Sequence, residues 1–214
     1  MSPGHGYARP VSRNCYNKSV AQQVCARRNS RKVLHVGLLD SLLAPARPKA
    51  LDISQDEGRV YAPASGRVIP LSEVSDPVFS GGMLGDGLAV EADGGVAYAP
   101  ISGVVTATVA SKHAVSIRSD EGAEVLLHVG VDTVRLRGKG FTCYVGKGDR
   151  VEAGEALISF DDGLIRESGL DAPVIVTVTN PDAVGPVSAA CGESVRAGEP
   201  MLYLGVRVSA GTAL

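Results

Sequence analysis

The sequence predicts an all-β protein: a compact antiparallel β-sandwich or barrel-sandwich hybrid with internal turn repeats and one or two short helices. Its 214 residues include 26 glycines, 12 prolines and no tryptophan, and 44% of them are hydrophobic. Short runs rich in valine and isoleucine alternate with turn residues, which favours short strands over a helical bundle. The chain is long enough for one substantial core. Because no apolar run approaches the roughly 20 residues of a membrane helix, we expect no transmembrane segment.

The first 36 residues form a basic extension. Residues 1–39 carry seven lysines and arginines and no acid, whereas residues 40–214 carry 14 basic and 23 acidic side chains. Because residues 1–36 also lack an apolar stripe, we expect them to be disordered. We expect no nucleic-acid partner for this chain, whose formal net charge is −2.

Residues 37–57 predict a short amphipathic helix followed by a linker. The leucines recur at the i, i+3 and i+4 spacing of a helix face, at Leu38, Leu39, Leu42 and Leu43. The helix is too short to span a bilayer, so we expect it to pack on the body or to touch a membrane surface peripherally. The prolines of APARPK then end the helix.

Two repeated segments predict strand–turn–strand units in the body, residues 58–208. VYAPASGRVIPL (60–71) returns as AYAPISGVVTAT (97–108), and GDRVEAGEALISF (148–160) returns as GESVRAGEPMLYL (192–204). Each Ser-Gly or Ala-Gly pair supplies a turn in which a positive φ is cheap. We therefore assign these glycines to the architecture of a sandwich or barrel, and residues 209–214 to a short tail.

The rest of the body holds one candidate helix, and the chain has four cysteines. DGLIRESGL (162–170) predicts a helix with Asp162 as N-cap and Gly169 near its end. The cysteines lie at positions 15, 25, 143 and 191, without CxxC spacing. We expect free thiols in a reducing compartment, since a chain of this length needs no disulfides.

Two histidines, His113 and His128, lie in strand-like runs that are joined by the turn sequence SDEG. If residues 119–122 form a four-residue hairpin loop, Arg118 faces Ala123 and His113 lies directly opposite His128. Directly opposed residues have Cβ atoms about 4.5–5.5 Å apart on one face. This register predicts that the two imidazoles are neighbours, and a loop one residue longer would break it.

An imidazole pair leaves three roles open: metal ligation, general acid–base catalysis, or a nucleophilic histidine oriented by its neighbour. Zinc needs three or four ligands; Asp76 or Asp132 could add one, but HExxH and Cys ligand motifs are absent. Hydrolysis by a serine would need a motif such as G-x-S-x-G, which is also absent. These absences favour a neutral imidazole that attacks a phosphoryl group. Its ordinary pKa near 6.5 predicts a loss of phosphorylation below about pH 6.

Residues 122–134 resemble the active-site signature of the glucose-type IIA component of the bacterial phosphoenolpyruvate-dependent sugar phosphotransferase system. That signature reads G, two variable residues, three apolar residues, H, apolar, G, apolar, variable, T, V, and GAEVLLHVGVDTV meets every position. Supporting matches are YAPASGRV, DPVFSGGMLGDGLAV, APISGVV, KHAVSIRS, LRGKGF and GDRVEAGEALISFD. The resemblance covers roughly residues 58–206, and GLLDSLL resembles the amphipathic helix at the start of free-standing members.

The resemblance implies a phosphocarrier, which is a phosphotransferase component. His128 would accept a phosphoryl group from the carrier protein HPr as a tele-phosphohistidine and pass it to a cysteine of a IIB domain. His113 would stabilise the charge of that group in flight. We expect no required cofactor and a location in the bacterial cytoplasm, with peripheral contact to the membrane as an option.

The resemblance also assigns supporting roles around the histidines. Gly130 and Thr133 belong to the signature, and Asp76 and Asp132 match acidic residues that flank the site. Ser111 stands where the family has threonine, and it keeps the hydroxyl. The resemblance predicts an apolar rim on which HPr and IIB dock, formed by Val78, Phe79, Val109 and Leu126.

Two other functions remain as alternatives. The same face could serve as a regulatory binding module that contacts transporters or kinases. A zinc-dependent hydrolase on a similar β-sandwich is the third hypothesis. A zinc ion held between His113, His128 and a partner is compatible with the phosphocarrier hypothesis.

Overall fold

The computed structural model describes residues 46–205. The basic extension 1–36, the leucines predicted to form a helix at 38–43, and residues 206–214 lie outside the described residues. The predicted linker is described from residue 46 onward, where it contains no helix or strand.

The described residues contain fourteen strands, three short α-helices and two 3₁₀ turns. The strands are β1 (Arg59–Tyr61), β2 (Gly66–Pro70), β3 (Asp86–Ala92), β4 (Val96–Tyr98), β5 (Gly103–Thr108), β6 (Ala114–Arg118), β7 (Glu124–Val129), β8 (Phe141–Cys143), β9 (Arg150–Val151), β10 (Ala156–Phe160), β11 (Pro173–Val178), β12 (Val187–Ala189), β13 (Ser194–Val195) and β14 (Pro200–Leu204). The helices are α1 (Pro77–Ser80), α2 (Asp162–Glu167) and α3 (Pro181–Val184), and the 3₁₀ turns are Leu71–Glu73 and Thr133–Leu136.

Eight strands form one antiparallel sheet in the order β13-β2-β3-β11-β7-β6-β5-β9. Two three-stranded antiparallel sheets, β1-β14-β12 and β4-β10-β8, supply the opposing layer. Valines and isoleucines of β6, β7 and β11 pack in one cluster with residues of β10 and β14 from the opposing layer. The predicted antiparallel β-sandwich with few short helices is therefore confirmed.

Strand β7 has apolar residues on both faces, which explains its nearly continuous apolar sequence. Val125, Leu127 and Val129 point into the main core and are at most 1% exposed. Leu126 packs on the opposite face against a second, smaller core. The members of this second core are Ile69, Leu71, Val74, Phe79, Ala89 and Ile175. A central strand that is covered on both faces buries an unusually large share of its side chains. Its backbone is therefore a rigid support for the remaining side chains of the strand.

The repeated segments form the predicted strand–turn–strand units, and glycine is required at their turns. Gly66 and Gly103, the glycines of the two Ser-Gly pairs, have φ of 152° and 157°. A Cβ at Gly66 would lie 2.0 Å from the Glu91 carbonyl oxygen, and one at Gly103 would lie 2.1 Å from that of Arg118. The backbones of neighbouring strands thus approach too closely for any side chain.

The helix predicted over 162–170 exists, but its N-cap was predicted wrongly. Asp161, and not Asp162, caps the helix, because its Oδ1 accepts the N–H of Leu164 at 2.9 Å. Asp162 is the first helical residue and pairs with Arg166 one turn later. Helices α1 and α3, with four residues each, are too short for a periodic pattern to reveal. None of the helices within residues 46–205 could span a membrane.

Cys143 and Cys191 are free thiols, as the sequence predicted. Cys15 and Cys25 lie outside the described residues.

We expect Gly103→Ala to lower the free energy of unfolding by about 2–3 kcal/mol, because the added Cβ would force β5 away from β6. Urea denaturation followed by circular dichroism measures the change. Gly94→Ala is the matched control, since a Cβ at Gly94 has no heavy atom within 4 Å. Equal stabilities of the two variants would contradict this account of the turn.

Candidate active site

His128 lies on the central strand β7, on the face that carries the second core. It pairs with Ala114 of β6 on one side and with Ile175 of β11 on the other. Its imidazole contacts the ring of Phe79 edge to face, with 5.1 Å between centroids. Both neighbouring strands thus fix the backbone of this residue while its ring remains partly exposed.

The predicted contact between the two imidazoles is confirmed, although the predicted register is wrong by one residue. Arg118 pairs with Glu124, so the hairpin loop spans five residues, 119–123, rather than four. Ser119 sets this length, because its N–H donates to the Ala123 carbonyl and its Oγ accepts the N–H of Ala123. The centroids of the His113 and His128 rings are 4.6 Å apart, with an interplanar angle of 79°.

His113 reaches His128 because it precedes the regular part of strand β6. Lys112 has a positive φ of 62°, which turns the chain just before the strand. The carbonyl of His113 still accepts the N–H of Val129 at 2.8 Å. Its side chain, however, lies in a bend and does not follow the alternation of the pleat. Local backbone geometry therefore replaces direct cross-strand pairing as the cause of the contact.

Both imidazoles are held in the neutral state by burial. Only 7% of His113 is exposed, and the Nδ1 atoms of both rings are buried without a hydrogen-bond partner. Burial, followed by the effect of the neighbouring His113, lowers the pKa of His128 to about 4. Burial likewise lowers the pKa of His113 below its ordinary value of 6.5.

Nearby carbonyls and one carboxylate partly offset this lowering of the two imidazole pKa values. The carbonyl of Gly130 beside His128 and that of Ser111 beside His113 raise the pKa of the adjacent ring, although neither makes a hydrogen bond of good geometry to Nδ1. Asp76 raises the pKa of His128 through its charge. Because Nδ1 of His128 is enclosed, Nε2 is the nitrogen left for an incoming group.

Asp76 positions the short helix that covers the site. Its Oδ1 accepts the N–H of Val78 at 2.8 Å and so caps α1. This cap holds Phe79 against the His128 ring. Phe79 was expected on the docking rim, but only 2% of it is exposed because it fills the second core. The Phe79 ring packs against the His128 imidazole and offers almost no surface to a partner.

The residues after His128 shape the turn that leaves the strand. Gly130 has a φ of 72°, and a Cβ there would lie 2.4 Å from Cγ2 of Thr133. Thr133 is fully buried, and its Oγ1 donates to the Val129 carbonyl at 2.7 Å. Asp132 is exposed and lies 4.0 Å from Arg135. Gly130 and Thr133 therefore fix the backbone that follows His128, while Asp132 lies exposed in the same turn.

The other predicted rim residues differ in exposure. Val78 and Val109 are 38% and 40% exposed, whereas Leu126 is partly buried against the second core. Met83 and Val134, which the sequence analysis did not single out, are apolar side chains that are 68% and 56% exposed. Their exposure could have been predicted from the sequence, because each is an apolar residue inside a turn rich in glycine or charged residues.

The described residues do not form a metal site by themselves. Within residues 46–205, no group of three or more His, Cys, Asp and Glu side chains is arranged to hold a metal ion. The imidazole pair could offer two ligands, and zinc requires at least three from protein.

Residues 58–184 match the family described as phosphoenolpyruvate-dependent sugar phosphotransferase system, EIIA 1. The chain is 38% identical to the glucose-specific EIIA component of Halalkalibacterium halodurans, over 70% of this chain and 86% of that protein. It is 45% identical to the beta-glucoside-specific EIIBCA component of Bacillus subtilis, over 60% of this chain and 21% of that protein. The chain therefore matches most of a free-standing EIIA relative and only about a fifth of the EIIBCA protein.

A solved structure agrees with these sequence matches. The glucose permease IIA from Mycoplasma capricolum superposes with a TM-score of 0.62 at 33% identity. The match covers 67% of this chain and 93% of that one.

We expect His128 to titrate near pH 4 in the folded protein, which corrects the loss of phosphorylation below about pH 6 that an ordinary imidazole predicts. Proton NMR of the imidazole Cε1–H measures the midpoint, with His128→Gln to assign the signal. Between pH 6.5 and 4 the unfolded ring binds a proton that the folded ring does not, so the free energy of unfolding falls as the pH falls through this window. A folded-state midpoint near 6.5, equal to that in concentrated urea, would contradict the burial argument.

Proposed function

This chain belongs to the EIIA 1 family of the phosphoenolpyruvate-dependent sugar phosphotransferase system, whose members are phosphotransferase components of sugar transport. We propose that His128 is its phosphoryl acceptor, that HPr is the donor, and that a cysteine of a IIB domain receives the group. The observation that carries the proposal is the contact between two neutral imidazoles whose Nδ1 atoms are both buried.

The proposed transfer uses Nε2 of His128 as the nucleophile. Its lone pair attacks the phosphorus of phosphohistidine on HPr, a new N–P bond forms, and the N–P bond of the donor breaks. The second transfer reverses these roles: the thiolate of IIB attacks the phosphorus and His128 leaves as a neutral imidazole. Burial favours this cycle because a protonated imidazole has no lone pair to offer, and the pKa of His128 is held near 4.

His113 is proposed to stabilise the phosphoryl oxygens during both transfers. Its ring lies within contact distance of His128, and its imidazole offers an N–H donor in a place with little water. Hydrogen bonds and charges act strongly on a phosphoryl group in such a site, since transfer depends on positioning and electrostatics. Ser111 and Asp76 are proposed to support the site, and Phe79 helps to keep water from the labile N–P bond.

The partners and the location follow from the same proposal. HPr and IIB would dock in turn on the exposed apolar residues around the site, including Val78 and Val109. We place this cycle in the bacterial cytoplasm. A zinc ion between the imidazole pair and a partner's side chain stays a prediction, and the transfer does not need it. A regulatory role of the same face also stays a prediction.

We expect His128→Gln to abolish phosphorylation by phosphoenolpyruvate, enzyme I and HPr, because the amide has no nucleophilic nitrogen. Mass spectrometry and the lability of the phosphate in acid, with stability in alkali, measure the product. His35→Gln is the matched control, since we assign no role to that histidine. Uptake of phosphate by His128→Gln at the wild-type rate would refute the assignment.

We expect His113→Gln to accept phosphate at His128 and to pass it to IIB at least about a hundredfold more slowly, because the charge in flight loses a stabilising donor. Single-turnover transfer from the isolated phosphoprotein to IIB measures this step alone. A rate equal to that of the wild type would show that His113 only packs against His128.

A further inference from the structure

Residues 71–84 cover the second core beside His128, and we call them the covering segment. They contain the 3₁₀ turn Leu71–Glu73 and helix α1. Val74 and Phe79 are buried in the second core, and the ring of Phe79 also contacts the imidazole of His128. The position of the covering segment therefore determines what lies against one side of that imidazole.

The covering segment makes one hydrogen bond to a distant part of the described chain. Within residues 46–205, its other hydrogen bonds lie inside the segment or reach the adjacent Gly85. The exception is the hydroxyl of Ser75, which donates to Oδ2 of Asp171 at 2.7 Å, 96 residues further along the chain. Apolar packing is not directional. The bond from Ser75 to Asp171 is therefore the contact that fixes where the segment lies along the surface of the second core.

Asp171 also holds the turn that follows His128. Its carbonyl accepts the N–H of Val131 at 2.9 Å. Two residues later, the carbonyl of Pro173 accepts the N–H of Gly130 at 2.8 Å. Asp171 thus joins two elements beside the imidazole, the covering segment through its side chain and the turn after His128 through its main chain.

The hydrogen bond between Ser75 and Asp171 has a carboxylate as acceptor. A hydroxyl that donates to an ionised group makes a shorter and stronger bond than one between neutral groups, and 2.7 Å fits this class. Both side chains are exposed, so water competes for each of them. We therefore expect the loss of this bond to shift the covering segment without unfolding the protein.

We propose that Asp171 is a positioning residue for His128, because it holds the covering segment through Ser75 and the turn after His128 through its carbonyl. This inference rests on the proposed function, in which Nε2 of His128 must meet the phosphorus of an incoming group in line. A small displacement of a reacting atom costs a large factor in rate. When the covering segment shifts, the ring of Phe79 no longer limits the orientations of the imidazole, and fewer molecules present Nε2 correctly.

The test compares Asp171→Ala, which removes the acceptor, with Asp171→Asn, which keeps an oxygen at the same place. Single-turnover phosphorylation by phosphorylated HPr is measured at increasing donor concentration. The limiting rate of Asp171→Ala should be about three- to tenfold lower than that of the wild type, and that of Asp171→Asn should stay within about twofold. Ser75→Ala should be as slow as Asp171→Ala, and the double variant no slower than either, because all three lack the same bond.

The matched control is Gln55→Ala. It removes an exposed side-chain hydrogen bond, from Gln55 to Glu152 at 3.1 Å, that involves neither the covering segment nor Asp171. Its limiting rate should equal that of the wild type, and a loss as large as that of Asp171→Ala would overturn the inference.

Proton NMR at neutral pH tests the position of the ring without any donor protein. The nuclear Overhauser effect between the Phe79 ring and the His128 imidazole should weaken in Asp171→Ala and persist in Asp171→Asn. A merely structural role of Asp171 would lower the free energy of unfolding, measured by urea denaturation, and would leave this effect unchanged in the folded protein.

Three results would overturn the inference. The first is a limiting rate and an Overhauser effect in Asp171→Ala equal to those of the wild type. The second is an Asp171→Asn variant as slow as Asp171→Ala, since the charge and not the hydrogen bond would then act. The third is a wild-type rate for Ser75→Ala. Failure of the wild-type protein to take phosphate from HPr would refute the proposed function, whereas a weakened Overhauser effect in Asp171→Ala would still support the positioning of His128.

Discussion

The edge-to-face contact between the buried imidazoles of His113 and His128 opposes protonation of the two rings together. Two imidazolium ions at a centroid distance of 4.6 Å, with both Nδ1 atoms out of water, would combine charge repulsion with desolvation. The protein therefore has to supply an environment in which the uncharged form is stable near neutral pH. The strands that flank His128 and the turn that carries His113 serve this requirement.

The second core explains how a sheet can carry such a pair on its outer face. A sandwich needs one buried face per sheet, but β7 and β11 also pack on the other side, through Leu126 and Ile175. The 3₁₀ turn Leu71–Glu73 and helix α1 cover this patch, and the cap at Asp76 places Phe79 against His128. The carboxylate of Asp76 thus holds Phe79 in place and also brings negative charge near the His128 ring. The elements that bury the His128 ring and those that orient it are the same.

Sequence reasoning recovered the elements that depend on local pattern and missed those that depend on tertiary geometry. Repeated Gly and Pro positions predicted the turns, because only glycine tolerates the close strand approach at Gly66 and Gly103. The register of the hairpin was wrong, because the length of its loop depends on the bonds of Ser119 to Ala123 and not on the composition of SDEG. The two rings meet anyway, since the positive φ at Lys112 redirects His113. The family resemblance placed Phe79 on the docking rim, but a match of residues does not show which side of a short helix a large apolar side chain packs on.

The site contains two kinds of electrostatic interaction, one between buried groups and one between groups exposed to water. Around His128 the charges act over a few ångströms through a buried medium, where salt has little access. The charges of Lys112, Arg135, Arg137 and Lys139 are exposed to water. Their influence extends over about one Debye length, roughly 8 Å at physiological ionic strength. Ionic strength therefore changes the interactions of the exposed charges, while it leaves the protonation state of His128 almost unchanged. Because Lys112 and His113 are adjacent in the chain, one turn joins the two regions. A change in backbone conformation at Lys112 would therefore move the buried His113 ring and the exposed charge together.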